Sequence, residues 1–240
     1  MPPQAAVLSV DLGRTSYAAC WDLQRRTHDL RSRGIIPDVL LLTEHDHVYT
    51  LGTGGDANHL LASDEELRRR GVEFVRTDRG GDITYHGPGQ IVGYPIMDLT
   101  PRRQDLHRYL RDLEEVVILT IAAFGLCGTR VAGYTGVWVG QDKICALGIR
   151  TSRWVTMHGF ALNVSTDLSY FGRIIPCGIF ERGVTSMEEI LGRAVLAGEV
   201  VSVLRRQFAG VFGVRVEETH PDDFAGLLNG TRCFENMPAV

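Results

Sequence analysis

The feature that most constrains this chain is a stripe of apolar residues between Gln104 and Phe124. Leu106, Tyr109, Leu110, Leu113, Val116, Val117, Thr120, Ile121 and Phe124 follow one another at spacings of three and four, which predicts a helix with one buried face. Thr15 to Arg33 reads as an earlier helix, and Glu199 to Phe212 as a later amphipathic one. Ser63 and Glu66 frame a capping box, so a short helix is expected over Asp64 to Arg70, ended by Gly71. Between the helices lie strand signals. DVLLLTEH at 38–45 and HVYTLG at 47–52 are apolar and β-branched, GVWVGQDKICALGIR reads as a hairpin turning at Gly140 to Asp142, and WVTMHGFALNV reads as a further strand, with VRVEE a short one near the end. Hairpins mixed with helices favour an α+β fold over a doubly wound parallel sheet.

No repeat, low-complexity tract or linker interrupts the chain, although its character shifts near residues 185–195. The expectation is a main domain over 1–192, with a C-terminal helical extension over 193–240 packed on it. At 240 residues and 44% hydrophobic content, the chain can build a substantial core. A net charge of -4 and the lack of a long basic block argue against nucleic acid as a partner. No stretch approaches a membrane span and the N-terminus has no targeting pattern, so no membrane is expected and the cytoplasm is the expected location. Five cysteines, widely spaced and without a C-x-x-C pair, suggest neither a disulfide framework nor a zinc knuckle.

Three stretches concentrate glycine beside reactive side chains: RGGDITYHGPGQ at 79–90, KICALGIR at 143–150, and MHGFALN through IIPCG at 157–178. Glycine leaves backbone N–H groups unobstructed and lets a ligand approach closely, as an oxyanion or carbonyl cradle requires. A tight surface loop is the plainer account of 79–90. Cys177 lies in Pro176-Cys177-Gly178 after Ile174-Ile175. A lone cysteine is usually a small buried hydrophobe, and a catalytic one needs a partner, for which Lys143, His86 and His158 are candidates. His45 and His47 form an H-x-H that on one strand would share a face, yet no third ligand follows at a familiar spacing, so no metal is expected.

Taken together the three stretches resemble the octanoyl-acyl carrier protein:protein N-octanoyltransferases of lipoate biosynthesis, the lipoyl(octanoyl) transferases. RGGDITYHGPGQIVGYP is similar to the family's RGG and HGPGQ signature, KICALGIR to its K-to-G stretch, and HGFALN with PCG to its remaining elements, in family order over roughly residues 7–192. The resemblance implies that Cys177 carries the acyl group as a thioester and that Lys143 lowers its pKa. It implies an acyl pocket from Arg79, Gly80, Gly81, Asp82, Ile83, Thr84, Tyr85 and His86, from Ala146, Leu147 and Gly148, and from Gly159, Phe160 and Ala161, with His158 in possible support. Asp82 stands where the family pattern has Gln or Lys, so the resemblance carries a backbone role there and not a side-chain one. Implied too are a mixed β-sheet flanked by helices, similar to the biotin and lipoate protein ligase catalytic domain, and no cofactor. The implied partners are octanoyl-acyl carrier protein as donor, and lipoyl domains of 2-oxoacid dehydrogenase complexes and the glycine cleavage H protein as acceptors. The rival readings are an ATP-dependent lipoate or biotin ligase, against which the pairing of Lys143 with Cys177 speaks, and a silent acyl-binding scaffold.

Overall fold

The computed structural model describes residues 5–102, 104–175 and 183–230. Among them, β1 (Ala6–Thr15), α1 (Tyr17–Ser32), β2 (Asp38–His45), β3 (Val48–Leu51), α2 (Asp64–Arg70), β4 (Glu73–Arg76), β5 (Ile83–His86), β6 (Gln90–Ile96) and α3 (Leu106–Ala122) form the first half. β7 (Thr129–Val131), β8 (Tyr134–Val139), β9 (Asp142–Ser152), β10 (Val155–Asn163), α4 (Met187–Leu191), α5 (Ala197–Phe212), β11 (Arg215–Thr219) and α6 (Pro221–Leu228) complete it.

An eight-stranded sheet runs in the order β11-β1-β2-β6-β10-β9-β8-β7, and β4-β3-β5 form a smaller one beside it. β1 is parallel to both β11 and β2, whereas β2, β6, β10, β9 and β8 pair antiparallel, so the sheet is mixed. Successive residues of β2 alternate between two cores. Leu40 and Leu42 belong to one core with Val116, Val117, Leu204 and Phe208 of α3 and α5, while Leu41 belongs to the other with Cys20 of α1 and Phe224 of α6. A strand covered on both faces has no polar side, which is why DVLLLTEH reads as an unbroken apolar run.

The local signals act as their chemistry dictates. The Ser63 side chain accepts from the Glu66 N–H, and Gly71 closes α2 with φ at 64°. Asp105 caps α3 by accepting from the Arg108 N–H. The segment after residue 193 supplies α5, β11 and α6, and β11 forms an edge of the main sheet against β1. No helix among the described residues is long and apolar enough to cross a membrane. The H-x-H expectation needs correction: β2 ends at His45 and β3 begins at Val48 in the other sheet, so the two imidazoles share no face. His45 Nε2 lies 2.7 Å from the Tyr94 hydroxyl, whereas His47 Nδ1 lies 2.7 Å from that of Tyr85.

Candidate active site

β5, β6, β9, β10 and the first turns of α1 and α3 enclose a cavity of about 660 Å³, within the range of small-molecule sites. The three glycine-rich stretches meet there. Arg79, Gly80, Gly81, Asp82, Ile83, Thr84 and His86 line one side, Lys143 with Ala146, Leu147 and Gly148 another, and His158, Gly159, Phe160 and Ala161 a third. The approach is close enough to demand glycine, since a Cβ on Gly148 would stand 2.7 Å from the Gly80 carbonyl oxygen. Tyr85 does not join the cavity lining. Side chains alternate along a strand, and its ring stacks at 4.8 Å on Tyr170 in the core of the small sheet.

Cys177 lies in the 176–182 segment, outside the described residues. The residues on either side of that segment are well anchored. The Ile175 N–H donates to the His59 carbonyl at 2.9 Å, and the His59 ring lies 2.6 Å from Asp82 Oδ2. On the far side, the Lys143 N–H donates to the Gly183 carbonyl and the Thr185 N–H donates to the Lys143 carbonyl, both at 3.0 Å.

Lys143 is the single lysine of the chain, the rest of its 25 basic residues being arginine. Its Nζ lies 4.8 Å from the centroid of the Trp138 ring, the residue it faces across the β8–β9 ladder, and an aromatic face attracts an ammonium. Gly136 makes room for its stem, because a Cβ there would stand 3.2 Å from Lys143 Cε. The Gly136 N–H donates at 3.0 Å to Glu114, a wholly buried carboxylate that also accepts from Arg111 and Arg130.

The opposite wall is polar and buried. Arg79, almost fully buried, donates to the Thr50 carbonyl at 2.7 Å and to its hydroxyl at 2.9 Å. Burial holds His86 well below the usual histidine range and lowers His158 too, so both rings are neutral near pH 7. His158 Nε2–H donates to Asp78 Oδ1 at 2.7 Å, and Asp78, held below its ordinary value by that bond, also pairs with Arg150. The backbone of His158 has φ at 59°, an uncommon conformation for a non-glycine residue and one that collects at functional sites. Burial pushes the thiols of Cys20, to about 12, and of Cys145 upward, and Cys127 is exposed outside the cavity.

The chain is similar to known proteins in sequence and in fold. Residues 16–209 match the lipoyl protein ligase A/B catalytic domain. The chain belongs to that family. An octanoyltransferase of Rubrobacter xylanophilus is 57% identical over 199 residues, 80% of this chain and 89% of the relative, and one of Gloeobacter violaceus is 52% identical over 211 residues, 88% and 92% of the two chains. A putative lipoate protein ligase from T. acidophilum, solved with bound lipoic acid, superposes with a TM-score of 0.74 at 19% identity, covering 95% of this chain and 93% of that one. The mixed sheet flanked by helices is thus the lipoate-ligase fold.

In this member of the lipoyl protein ligase A/B family, several cavity residues carry no local signal. Tyr17 of α1 and Tyr94 of β6 line the cavity, and Leu106 and Leu110 turn from the α3 stripe into it. Gln90 and Asn163 also line it. Both close stretches that the sequence singles out, RGGDITYHGPGQ and MHGFALN, although the sequence assigns no role to either side chain.

Proposed function

We propose that the chain is a cytoplasmic octanoyltransferase that moves an octanoyl group from octanoyl-acyl carrier protein to a lysine of a lipoyl domain, through a thioester on Cys177. The observation that carries this reading is the placement of the sole lysine, Lys143, at a largely apolar cavity beside Gly183–Thr185, in a chain half identical to octanoyltransferases.

In the first half-reaction the Cys177 thiolate attacks the donor thioester carbonyl, a carbon–sulfur bond forms, and the carrier thiolate departs and takes up a proton. In the second, the acceptor amine attacks the enzyme thioester, an amide forms, Cys177 leaves as thiolate and the amine gives up its proton. Splitting the transfer lets the two protein substrates bind in turn. The first step exchanges one thioester for another, and the second runs downhill because an amide is the more stable product. Lys143 as an ammonium favours the thiolate, and as an amine it accepts the proton of the incoming lysine. An arginine could supply only the charge, since its guanidinium does not release a proton in this range. Octanoyl burial in the cavity, at about 0.8 kcal/mol for each of roughly six methylenes, supplies on the order of 5 kcal/mol of binding.

Cys177→Ala tests the reading. With octanoyl-acyl carrier protein and an isolated lipoyl domain, it should abolish transfer, while an ATP-dependent ligase would tolerate the change.

A further inference from the structure

One buried polar chain in the cavity wall is not accounted for by core packing. Arg79 can only donate, so its bond to the Thr50 hydroxyl at 2.9 Å turns the hydroxyl proton toward His86 Nε2, 3.4 Å away. His86 then carries its proton on Nδ1 and donates to Gln90 Oε1 at 2.8 Å. Gln90 Nε2 donates to Asn163 Oδ1 at 2.8 Å, and Asn163 Nδ2 donates to the Thr185 carbonyl at 3.0 Å. Gln90 and Asn163 face each other in the β6–β10 register, and both are almost fully buried. Every donor along the route points the same way, so each side chain has a single permitted orientation. The route ends on Thr185, the residue whose N–H holds the Lys143 carbonyl at 3.0 Å.

We propose that the Gln90–Asn163 pair, held in register by His86, is a positioning device for Lys143. It acts through Thr185, fixing the main chain alongside β9 so that the lysine stem rests on Gly136 and its ammonium on Trp138. His86 serves here as a fixed donor and not as a carrier of protons, since its Nδ1 proton is committed to Gln90. Gln90 and Asn163 are positioning residues whose effect on transfer passes through Lys143. The inference rests on the proposed acyl transfer for its kinetic arm, and has a second arm that does not.

The test is a double-mutant cycle of Asn163→Leu with Lys143→Ala. Asn163→Leu keeps the number and branching of the side-chain heavy atoms and removes both bonds. With octanoyl-acyl carrier protein as donor it should lower kcat on the order of tenfold to a hundredfold, and cost nothing further in the Lys143→Ala background. The independent arm uses reductive methylation with 13C-formaldehyde. As the chain has one lysine, a single side-chain resonance reports on Lys143, and it should shift in Asn163→Leu. If Asn163→Leu fails to fold, Asn163→Asp, which keeps the acceptor toward Gln90 and removes the donor toward Thr185, takes its place in both arms. An equal fold-loss in the presence and absence of Lys143, or an unmoved resonance in a folded variant, would overturn the inference. If the wild type transfers no octanoyl group, the functional reading fails by itself and the resonance decides the positioning role alone.

Discussion

Gly136→Ala is the sharpest test of how the fold serves Lys143. Gly136 has φ at +138°, and an added Cβ would stand 2.8 Å from the Cys145 carbonyl oxygen and 3.2 Å from Lys143 Cε. The Cys145 oxygen belongs to β9 and yields only if the β8–β9 ladder shifts, and the flexible lysine stem is displaced with it. Holding alanine in this conformation costs about 1–3 kcal/mol, which for a chain of this size lowers the melting temperature by about 2 to 12 °C. The larger effect falls on turnover, because displacing a catalytic group by about 1 Å costs on the order of a hundredfold. Gly140→Ala is the control. Gly140 has φ at +60°, and a methyl group added there would meet nothing within 4 Å, so it carries a left-handed backbone cost alone, without the contacts to Cys145 and Lys143. Thermal melts and octanoyl transfer measured on both variants separate the effects. If Gly136→Ala melts lower yet turns over within twofold of the wild type, the account of the lysine cradle is wrong.

Alkylation by iodoacetamide followed by peptide mass analysis should label Cys127 in the folded protein and spare Cys20 and Cys145 until denaturant is added, because the latter two are buried with raised thiol pKa values; labelling of all three at one rate would contradict the packing. His45 should make stability depend on pH. Burial lowers its folded value to about 4 from the ordinary 6.5, so the unfolded chain takes up the proton first and stability falls as the pH drops below 6.5. Linkage gives a loss of about 2 kcal/mol between pH 7 and pH 5, and urea denaturation at the two values should show that slope reduced in His45→Gln. Lys143→Arg should retain thiolate reactivity toward iodoacetamide yet lose acyl transfer to the amine; full transfer would remove the proton-acceptor role.

The sequence was most legible where local chemistry decides structure. α3 follows from its apolar period, α2 from Ser63 and Gly71, and the β8–β9 hairpin from Gly140. Legibility failed where partners distant in the chain decide. β5 lies within a glycine-rich stretch that reads equally well as a loop, and what makes Ile83–His86 a strand is pairing with β3 and the stacking of Tyr85 on Tyr170. The break between the strands ending at His45 and opening near His47 was readable, but that β3 leaves the main sheet for a second one was not, because partners distant in the chain decide it. Gln90 and Asn163 are 73 residues apart, and their pairing is a matter of strand register that no local pattern encodes. For the site, the glycine-rich stretches and Lys143 were readable, whereas the aromatic wall and the facing of Gln90 with Asn163 emerged only from the packing of β6 and β10.

The most direct measurement of the central claim is intact-mass analysis of the protein mixed with octanoyl-acyl carrier protein, without ATP or magnesium, before and after a lipoyl domain is added. The account predicts a hydroxylamine-sensitive octanoyl adduct that maps to Cys177, is absent from Cys177→Ala, and disappears as the lipoyl domain gains an octanoyl amide. Transfer from free octanoate that requires ATP and proceeds undiminished in Cys177→Ala would contradict it.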